Sequence, residues 1–220
     1  MGVTVPKSVA VQLLSKLPGT APGSGEDAQK VLMPRAGPWA SGRLTSGGVK
    51  VQFASQKMNI RPATCEDLPG ILEIYNEAVL NTTATYDYEP RTLEHRIAWF
   101  EEHAKENYPV FVAVEEAGRV AGWSSLSQFH ARVGYRFTAE NSVYVAADRR
   151  GQGIGKLLMP PLIEGARKRG AHAIIGLIDA DNQPSVRLHA SFGFVKVAHL
   201  RQVGFKFGRW LDVVYMELLL

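Results

Sequence analysis

The most informative part of the sequence runs from residue 140 to residue 156 and reads ENSVYVAADRRGQGIGK. It begins as a short β-strand, passes through a glycine-rich turn, and is followed by Leu157, Leu158, Leu162 and Ile163 at helical spacing. A strand that leads through such a turn into a helix directs backbone N–H groups and a helix N-terminus toward one point, where a diphosphate can bind. The sequence therefore predicts an anion-binding loop made of Arg150, Gly151, Gln152, Gly153, Ile154, Gly155 and Lys156.

Two common nucleotide-binding loops do not fit this segment. A dinucleotide fingerprint that starts at Gly151 needs glycine at position 156, where the chain has Lys156. A Walker A loop that ends in Gly155-Lys156 needs Ser or Thr next, where the chain has Leu157. From the loop sequence alone, a glycine-rich turn with a purely structural role remains as the alternative to an anion-binding loop.

The pattern Arg150-x-x-Gly153-x-Gly155 resembles the acyl-CoA loop of the GNAT superfamily of N-acetyltransferases. A second segment, from Asn182 to Phe194, is similar to the GNAT region in which an Asn contacts the pantetheine arm and a short helix ends in Gly-Phe. The closer resemblance is to the phosphinothricin and L-methionine sulfoximine N-acetyltransferase subfamily. It rests on residues 74–79 (IYNEAV), 138–145 (TAENSVYV) and 202–212 (QVGFKFGRWLD), and it extends from Met58 to the end of the chain.

This resemblance implies an α/β fold for residues 58–220: a single GNAT domain with a mixed, mostly antiparallel central sheet flanked by helices. Apolar periodicity independently predicts a helix around residues 71–79 and another over 92–103. The same reasoning predicts the last two strands at 194–197 and 213–218. Residues 1–57, rich in Pro, Gly and Ser, are predicted to be a disordered extension; a targeting segment or a start site truly at Met58 are the alternatives.

Composition excludes several classes of protein. The chain has 220 residues and a net charge of +4, but residues 1–57 hold seven basic residues against two acidic ones. The remainder is close to neutral, so nucleic acid is not the expected partner. Cys65 is the single cysteine, which excludes an internal disulfide and favours a reducing, cytoplasmic location over an organelle. No apolar run is long enough to cross a membrane.

The resemblance assigns the chemistry to two residues. Glu140 stands where the related enzymes carry the carboxylate that removes a proton from the acceptor amine, and His189 stands where they carry a proton donor or relay to the leaving thiolate. Without the surrounding motifs, Glu140 would be taken as an exposed charge and His189 as an ordinary core or surface residue. The acetyl-CoA co-substrate is expected to contact Val143, Tyr144, Val145, Asn182, Ser185 and the glycine-rich loop.

The acceptor is expected to contact basic and aromatic side chains. Those that match the subfamily's acceptor contacts are Tyr86, His130, Arg132 and Tyr135, of which Arg132 suits a bidentate pair with a carboxylate. His130 departs from the Lys or Arg of the relatives, which leaves the preferred amino acid open. A solvated arginine and packing aromatics are the alternative interpretation. No residue spacing indicates a metal site.

These features predict an acetyl-CoA-dependent N-acetyltransferase, with no metal, that acts on the amino group of L-methionine sulfoximine, methionine sulfone or phosphinothricin, a detoxification-type activity. One alternative is a GNAT enzyme for a protein N-terminus, a lysine or an antibiotic. Another is a non-catalytic acyl-CoA-binding module. The resemblance also implies a homodimer, without a nucleic-acid or membrane partner.

Overall fold

Residues 58–220 are described here by a computed structural model, and they contain seven β-strands and four α-helices. The extension predicted over residues 1–57 lies outside the described residues. In chain order the elements are β1 (Asn59–Pro62), α1 (Leu68–Asn81), α2 (Leu93–Lys105), β2 (Val110–Val114), β3 (Val120–Gln128), β4 (Thr138–Val145), α3 (Ile154–Lys168), β5 (Ala173–Asp179), α4 (Gln183–Ala190), β6 (Val195–Lys206) and β7 (Arg209–Leu219).

The seven strands form one sheet in the order β1-β2-β3-β4-β5-β7-β6. All neighbouring pairs are antiparallel except β4 and β5, which run parallel. The α3 crossover supplies the long connection that a parallel pair requires. The sheet is mixed and mostly antiparallel, which confirms the fold expected from the sequence.

Helices α1 and α2 cover one face of the sheet. Their periodic apolar side chains, among them Ile71 and Ile97, are buried with Val112 and Trp123 of the sheet. Burying each large apolar side chain stabilises the fold by roughly 1.5–3 kcal/mol. Helix α2 begins at the predicted point because the Thr92 hydroxyl accepts a hydrogen bond from the backbone N–H of His95 at 3.3 Å.

Helix α3 covers the opposite face. Leu162 and Ile163 are buried there with Ile174 and Ile178 of β5 and with Met216 of β7. Successive side chains of a strand point to opposite faces of the sheet. The even-numbered side chains of β5 therefore face α3, and the odd-numbered ones face the side of α1 and α2. None of the helices within residues 58–220 has both the length and the apolar content needed to cross a membrane.

The last two strands are longer than the sequence predicts. Strand β6 continues to Lys206, and β7 already begins at Arg209. Pairing is irregular between Leu200 and Gly204, where Gln202 adopts a left-handed backbone conformation with φ of 55°. Such a bulge places consecutive residues on one side and removes the alternation by which a strand is recognised in sequence. The predicted β6 ends at Val197, beside a first register irregularity between Lys196 and Ala198, and the predicted β7 begins four residues after Arg209.

Candidate active site

A wedge-shaped opening separates β4 from β5. The two strands pair over only three residues each, Thr138–Glu140 with Ala173–Ile175. Beyond Glu140, β4 continues to Val145 and β5 to Asp179 without pairing to each other. Buried backbone N–H and C=O groups require partners. A linear ligand with amide groups can supply these partners by lying along β4, as an added strand does at a sheet edge.

A cavity of about 440 Å³ fills this opening and reaches both faces of the sheet. On the side of α3 and α4 it is lined by Asn141, Val143, Asn182, Ser185 and His189. On the side of α1 and α2 it is lined by Glu140, Ser142, Tyr144, Leu177, Asp179 and Tyr86. The wedge therefore joins two half-sites, one on each face, through the gap between the strands.

Glu140 lies at the point where β4 and β5 separate. Its register partner on β5 is Ile175, and its side chain faces the half of the cavity under α1 and α2. Burial raises the pKa of this carboxyl group, and its carboxylate has no ion pair within residues 58–220. A carboxylate in such a place is a suitable proton acceptor, because burial brings its pKa closer to neutral pH.

His189 lies on the opposite side of the same point, and it is 3% exposed. Its Nδ1 is 2.8 Å from the carbonyl oxygen of Ser185, to which it donates, so that Nε2 can accept from the Asn141 side-chain amide at 2.9 Å. Burial lowers the pKa of His189, which favours this neutral form. Both ring nitrogens are therefore engaged, and Gly176 allows the close approach, since a Cβ there would lie 3.1 Å from both side chains.

The glycine-rich loop precedes α3 as the sequence predicts. Gly151 and Gly153 have φ of 77° and 82°, a left-handed conformation that other residues adopt only with strain. Gly153 is the N-cap of α3, and the first N–H groups of a helix have no partner within the helix. The Arg150 guanidinium pairs with Glu77 and donates to the Val145 carbonyl, which ties the loop to β4.

The loop can therefore hold a diphosphate. It is exposed and carries Lys156 in the first turn of α3, so that backbone donors and a cation are available together. A Cβ at Gly151 or Gly153 would meet nothing within 4 Å, which leaves the space above the turn open. These residues fit the diphosphate of a CoA thioester, whose arm would enter the wedge.

Tyr86 forms a wall of the cavity from the loop between α1 and α2. The Lys206 ammonium fixes this loop by donating to the carbonyl oxygens of Thr82 at 2.8 Å and Thr85 at 2.7 Å. The Tyr86 ring lies against Gly204 of β6, where a Cβ would be 2.8 Å from ring carbon Cδ2 and 2.9 Å from Cζ. The buried Tyr86 hydroxyl has no hydrogen-bond partner in the described part of the chain, and burial raises its pKa to about 12.

The structure brings seven of the predicted site residues together in the cavity lining. Glu140, His189, Val143, Tyr144, Asn182, Ser185 and Tyr86 all line the cavity. Asn182 also caps α4, because its side-chain oxygen accepts from the Ser185 N–H at 3.3 Å. Val145, the last residue of β4, and residues 150–156, which follow this strand, are not part of the cavity lining.

Three predicted acceptor contacts are not part of this cavity. His130, Arg132 and Tyr135 are exposed in the segment between β3 and β4. The Tyr135 ring lies 5.1 Å from that of His130, so the segment is held by its own aromatic contacts. Within one chain it does not reach the cavity, and its role in acceptor binding stays a prediction.

Three residues of the site were not singled out from the sequence. Asn141 orients His189, Lys206 anchors the Tyr86 loop, and the Asp179 carboxylate enters the cavity lining. The sequence does contain a signal for Asp179, because this residue ends a buried strand, and ligands in α/β proteins bind at the carboxyl ends of such strands. Within the described part of the chain, no three His, Cys, Asp or Glu side chains are grouped to hold a metal ion.

Comparisons with known proteins agree with this geometry. A family model described as an Acetyltransferase (GNAT) domain matches residues 60–215. The chain is 46% identical over 160 residues to an L-methionine sulfoximine/L-methionine sulfone acetyltransferase of Pseudomonas aeruginosa, covering 73% of this chain and 93% of the relative. It is 37% identical over 163 residues to a phosphinothricin N-acetyltransferase of Streptomyces coelicolor, covering 73% and 95% respectively.

A solved structure shows the same architecture with a ligand. The phosphinothricin acetyltransferase of Sinorhizobium meliloti in complex with AcCoA is similar to this chain with a TM-score of 0.72 and 37% identity. The match covers 74% of this chain and 88% of the other. The fold and the sequence thus point to the same group of proteins.

Proposed function

Because this chain belongs to the GNAT family of acetyltransferases and uses acetyl-CoA, we propose that it acetylates the amino group of small amino-acid analogues. The acceptors we propose are L-methionine sulfoximine, L-methionine sulfone and phosphinothricin, which gives the protein a detoxification-type role. The names of the relatives support this class of acceptor. The observation that carries the proposal is Glu140, a partly buried carboxylate without an ion pair in residues 58–220, at the point where β4 and β5 separate.

Glu140 acts as the general base in this proposal. An amino acid carries its amine largely as ammonium at neutral pH, and only the neutral amine has a lone pair for attack. The Glu140 carboxylate removes the proton, directly or through one water, and burial improves the match of its pKa to this task. Bound acetyl-CoA supplies the acetyl group as an activated thioester.

The remaining residues bind and orient. The backbone N–H groups around Gly151 and Gly153 hold the diphosphate, and the unpaired edge of β4 after Glu140 holds the pantetheine arm. The Val143 N–H is the proposed donor to the thioester oxygen. Tyr86 forms a wall for the acceptor, and Arg132 with His130 and Tyr135 is proposed to meet the acceptor's carboxylate.

Release of free CoA thiol tests this function. Full-length protein is mixed with acetyl-CoA and each of a panel of amino acids, and thiol is followed with a colorimetric reagent. We expect release above the acceptor-free rate with L-methionine sulfone or L-methionine sulfoximine. Release at the blank rate with every member of the panel would overturn the proposed acceptor class.

His189 is predicted to contribute through its contact with Asn141. Removal of the imidazole frees the Asn141 amide at the point of the wedge, so we expect His189→Ala to lower kcat/KM by roughly tenfold or more. Asn141→Ala should lower kcat/KM by a similar factor. The double variant should lower it little further than either single variant, because the two side chains act as a unit. Steady-state kinetics of the three variants measure this. If the loss of kcat/KM in the double variant instead equals the product of the two single losses, this would favour an independent proton-donating role for His189.

We also propose a cytoplasmic homodimer. Strand β6 is at the edge of the sheet, and Val203, Phe205, Phe207 and Trp210 in the β6–β7 hairpin are each more than two-fifths exposed. An exposed apolar edge strand favours association. Sedimentation velocity should give twice the chain mass of 24.1 kDa. A species that stays at 24.1 kDa at micromolar concentration would contradict the dimer.

A further inference from the structure

Within residues 58–220, the half of the cavity under α1 and α2 is lined by acidic residues without basic ones. Two acidic side chains, Glu140 and Asp179, belong to the lining, and no Lys or Arg of residues 58–220 does. The two acids face the same side because Glu140 is in register with Ile175, and Asp179 follows Ile175 by an even number of residues. This half-site is therefore negative at both ends.

Asp179 forms no ion pair with a Lys, Arg or His side chain within residues 58–220. Its residue is 6% exposed, and its Oδ2 atom has no hydrogen-bond partner in the described part of the chain, whereas Oδ1 accepts from the Asp181 N–H at 2.8 Å. The Arg209 guanidinium interacts with Asp179 only at longer range, because it pairs with Asp181 at 2.8 Å.

The charge of Asp179 acts on the wall of the cavity. After burial, the charge of Asp179 is the largest cause of the raised pKa of Tyr86; Arg209 opposes it, and Asp212 and Asp181 add to it less. Because Tyr86 lines the cavity where the acceptor is proposed to bind, an acceptor group beside this ring lies in the same field. In a partly enclosed site water screens such a field less than at an open surface.

We propose that Asp179 determines acceptor specificity by charge: the cavity favours amino acids with a neutral polar side chain and disfavours those whose side chain ends in an anion. This inference rests on the proposed function and deepens it. L-methionine sulfone and phosphinothricin form a matched pair for it, since both end in a methyl-bearing tetrahedral group and differ by the negative charge of the phosphinate. One unit charge at about 6 Å, with an effective dielectric constant of about 20, is worth roughly a hundredfold in rate.

The test compares kcat/KM for these two acceptors in the natural protein and in three variants. Asp179→Asn removes the charge but keeps the oxygen that accepts from the Asp181 N–H. Asp179→Glu keeps the charge. Glu164→Gln is the control, because Glu164 is an exposed acid of α3 that is not part of the cavity lining.

We expect the natural protein to prefer the sulfone by at least about tenfold. Asp179→Asn should shift the ratio toward phosphinothricin by about tenfold or more, whereas Asp179→Glu and Glu164→Gln should leave it nearly unchanged. A ratio that does not move in an Asp179→Asn variant that still acetylates the sulfone would overturn this inference alone. Absence of turnover with any amino acid in the natural protein would overturn the proposed function itself. If Asp179→Asn does not fold, a natural protein that prefers phosphinothricin would still contradict the inference.

Discussion

Glu140→Gln is expected to lower kcat/KM for the amino-acid acceptor by about 10²- to 10⁴-fold, the usual range for loss of a general base. Glutamine has nearly the same shape as glutamate but cannot take a proton from the ammonium group. Glu140 has no ion pair within residues 58–220, so its replacement should not unfold the site. Steady-state kinetics with saturating acetyl-CoA measure the loss.

The pH dependence gives a second measure of the same residue. Only the deprotonated carboxylate accepts a proton, and burial raises the pKa of Glu140. Activity should therefore fall as the pH drops through this raised pKa, at higher pH than for an exposed glutamate. Glu140→Gln should lose this acidic limb while its melting temperature still rises with acetyl-CoA. A variant within about threefold of the natural rate would show that Glu140 is not the base.

Gly204→Ala is expected to raise KM for the acceptor by about tenfold or more and to leave the KM for acetyl-CoA unchanged. The added methyl group would lie 2.8 Å from Cδ2 of Tyr86, closer than carbon atoms approach, so the ring must leave its place on the cavity wall. No residue of the glycine-rich loop belongs to the cavity lining that includes Tyr86. Separate kinetic titrations of the two substrates measure the effect.

A double variant supplies the control for this prediction. If the methyl group acts by displacing the ring, Tyr86→Ala should already remove the wall, and Gly204→Ala should add little to it. Independent losses that multiply would mean that Gly204 acts through the β6 backbone instead. Lack of any effect of Gly204→Ala would show that the Tyr86 ring is not part of the acceptor site.

Local patterns in the sequence predict the parts of the site that local rules govern. The Gly151 and Gly153 turn is predicted because only glycine adopts its backbone conformation without strain. The family resemblance is confirmed by the match over residues 60–215, and with it the mixed sheet and the use of acetyl-CoA. The structure brings Glu140 and His189 to one point, although their catalytic roles stay predictions.

The remaining features depend on contacts between distant parts of the chain. The wedge exists because β4 and β5 stop pairing after Glu140 and Ile175, and strand separation leaves no mark in either strand's sequence. The sequence around Lys206 is typical of an exposed residue near a turn. In the structure, however, its ammonium group donates to loop carbonyls more than a hundred positions earlier in the chain. For the segment with Arg132 the difference is of another kind, since the family resemblance predicts acceptor contacts there, but within one chain these residues do not line the cavity.

A crystal structure of the full chain with bound CoA is the measurement that bears most directly on the central claim. We expect the diphosphate at the backbone N–H groups between Arg150 and Lys156, the pantetheine arm paired with β4 beyond Glu140, and the sulfur beside Glu140 on the line to His189. A CoA molecule whose arm lies outside the wedge, with its sulfur remote from Glu140, would contradict the account.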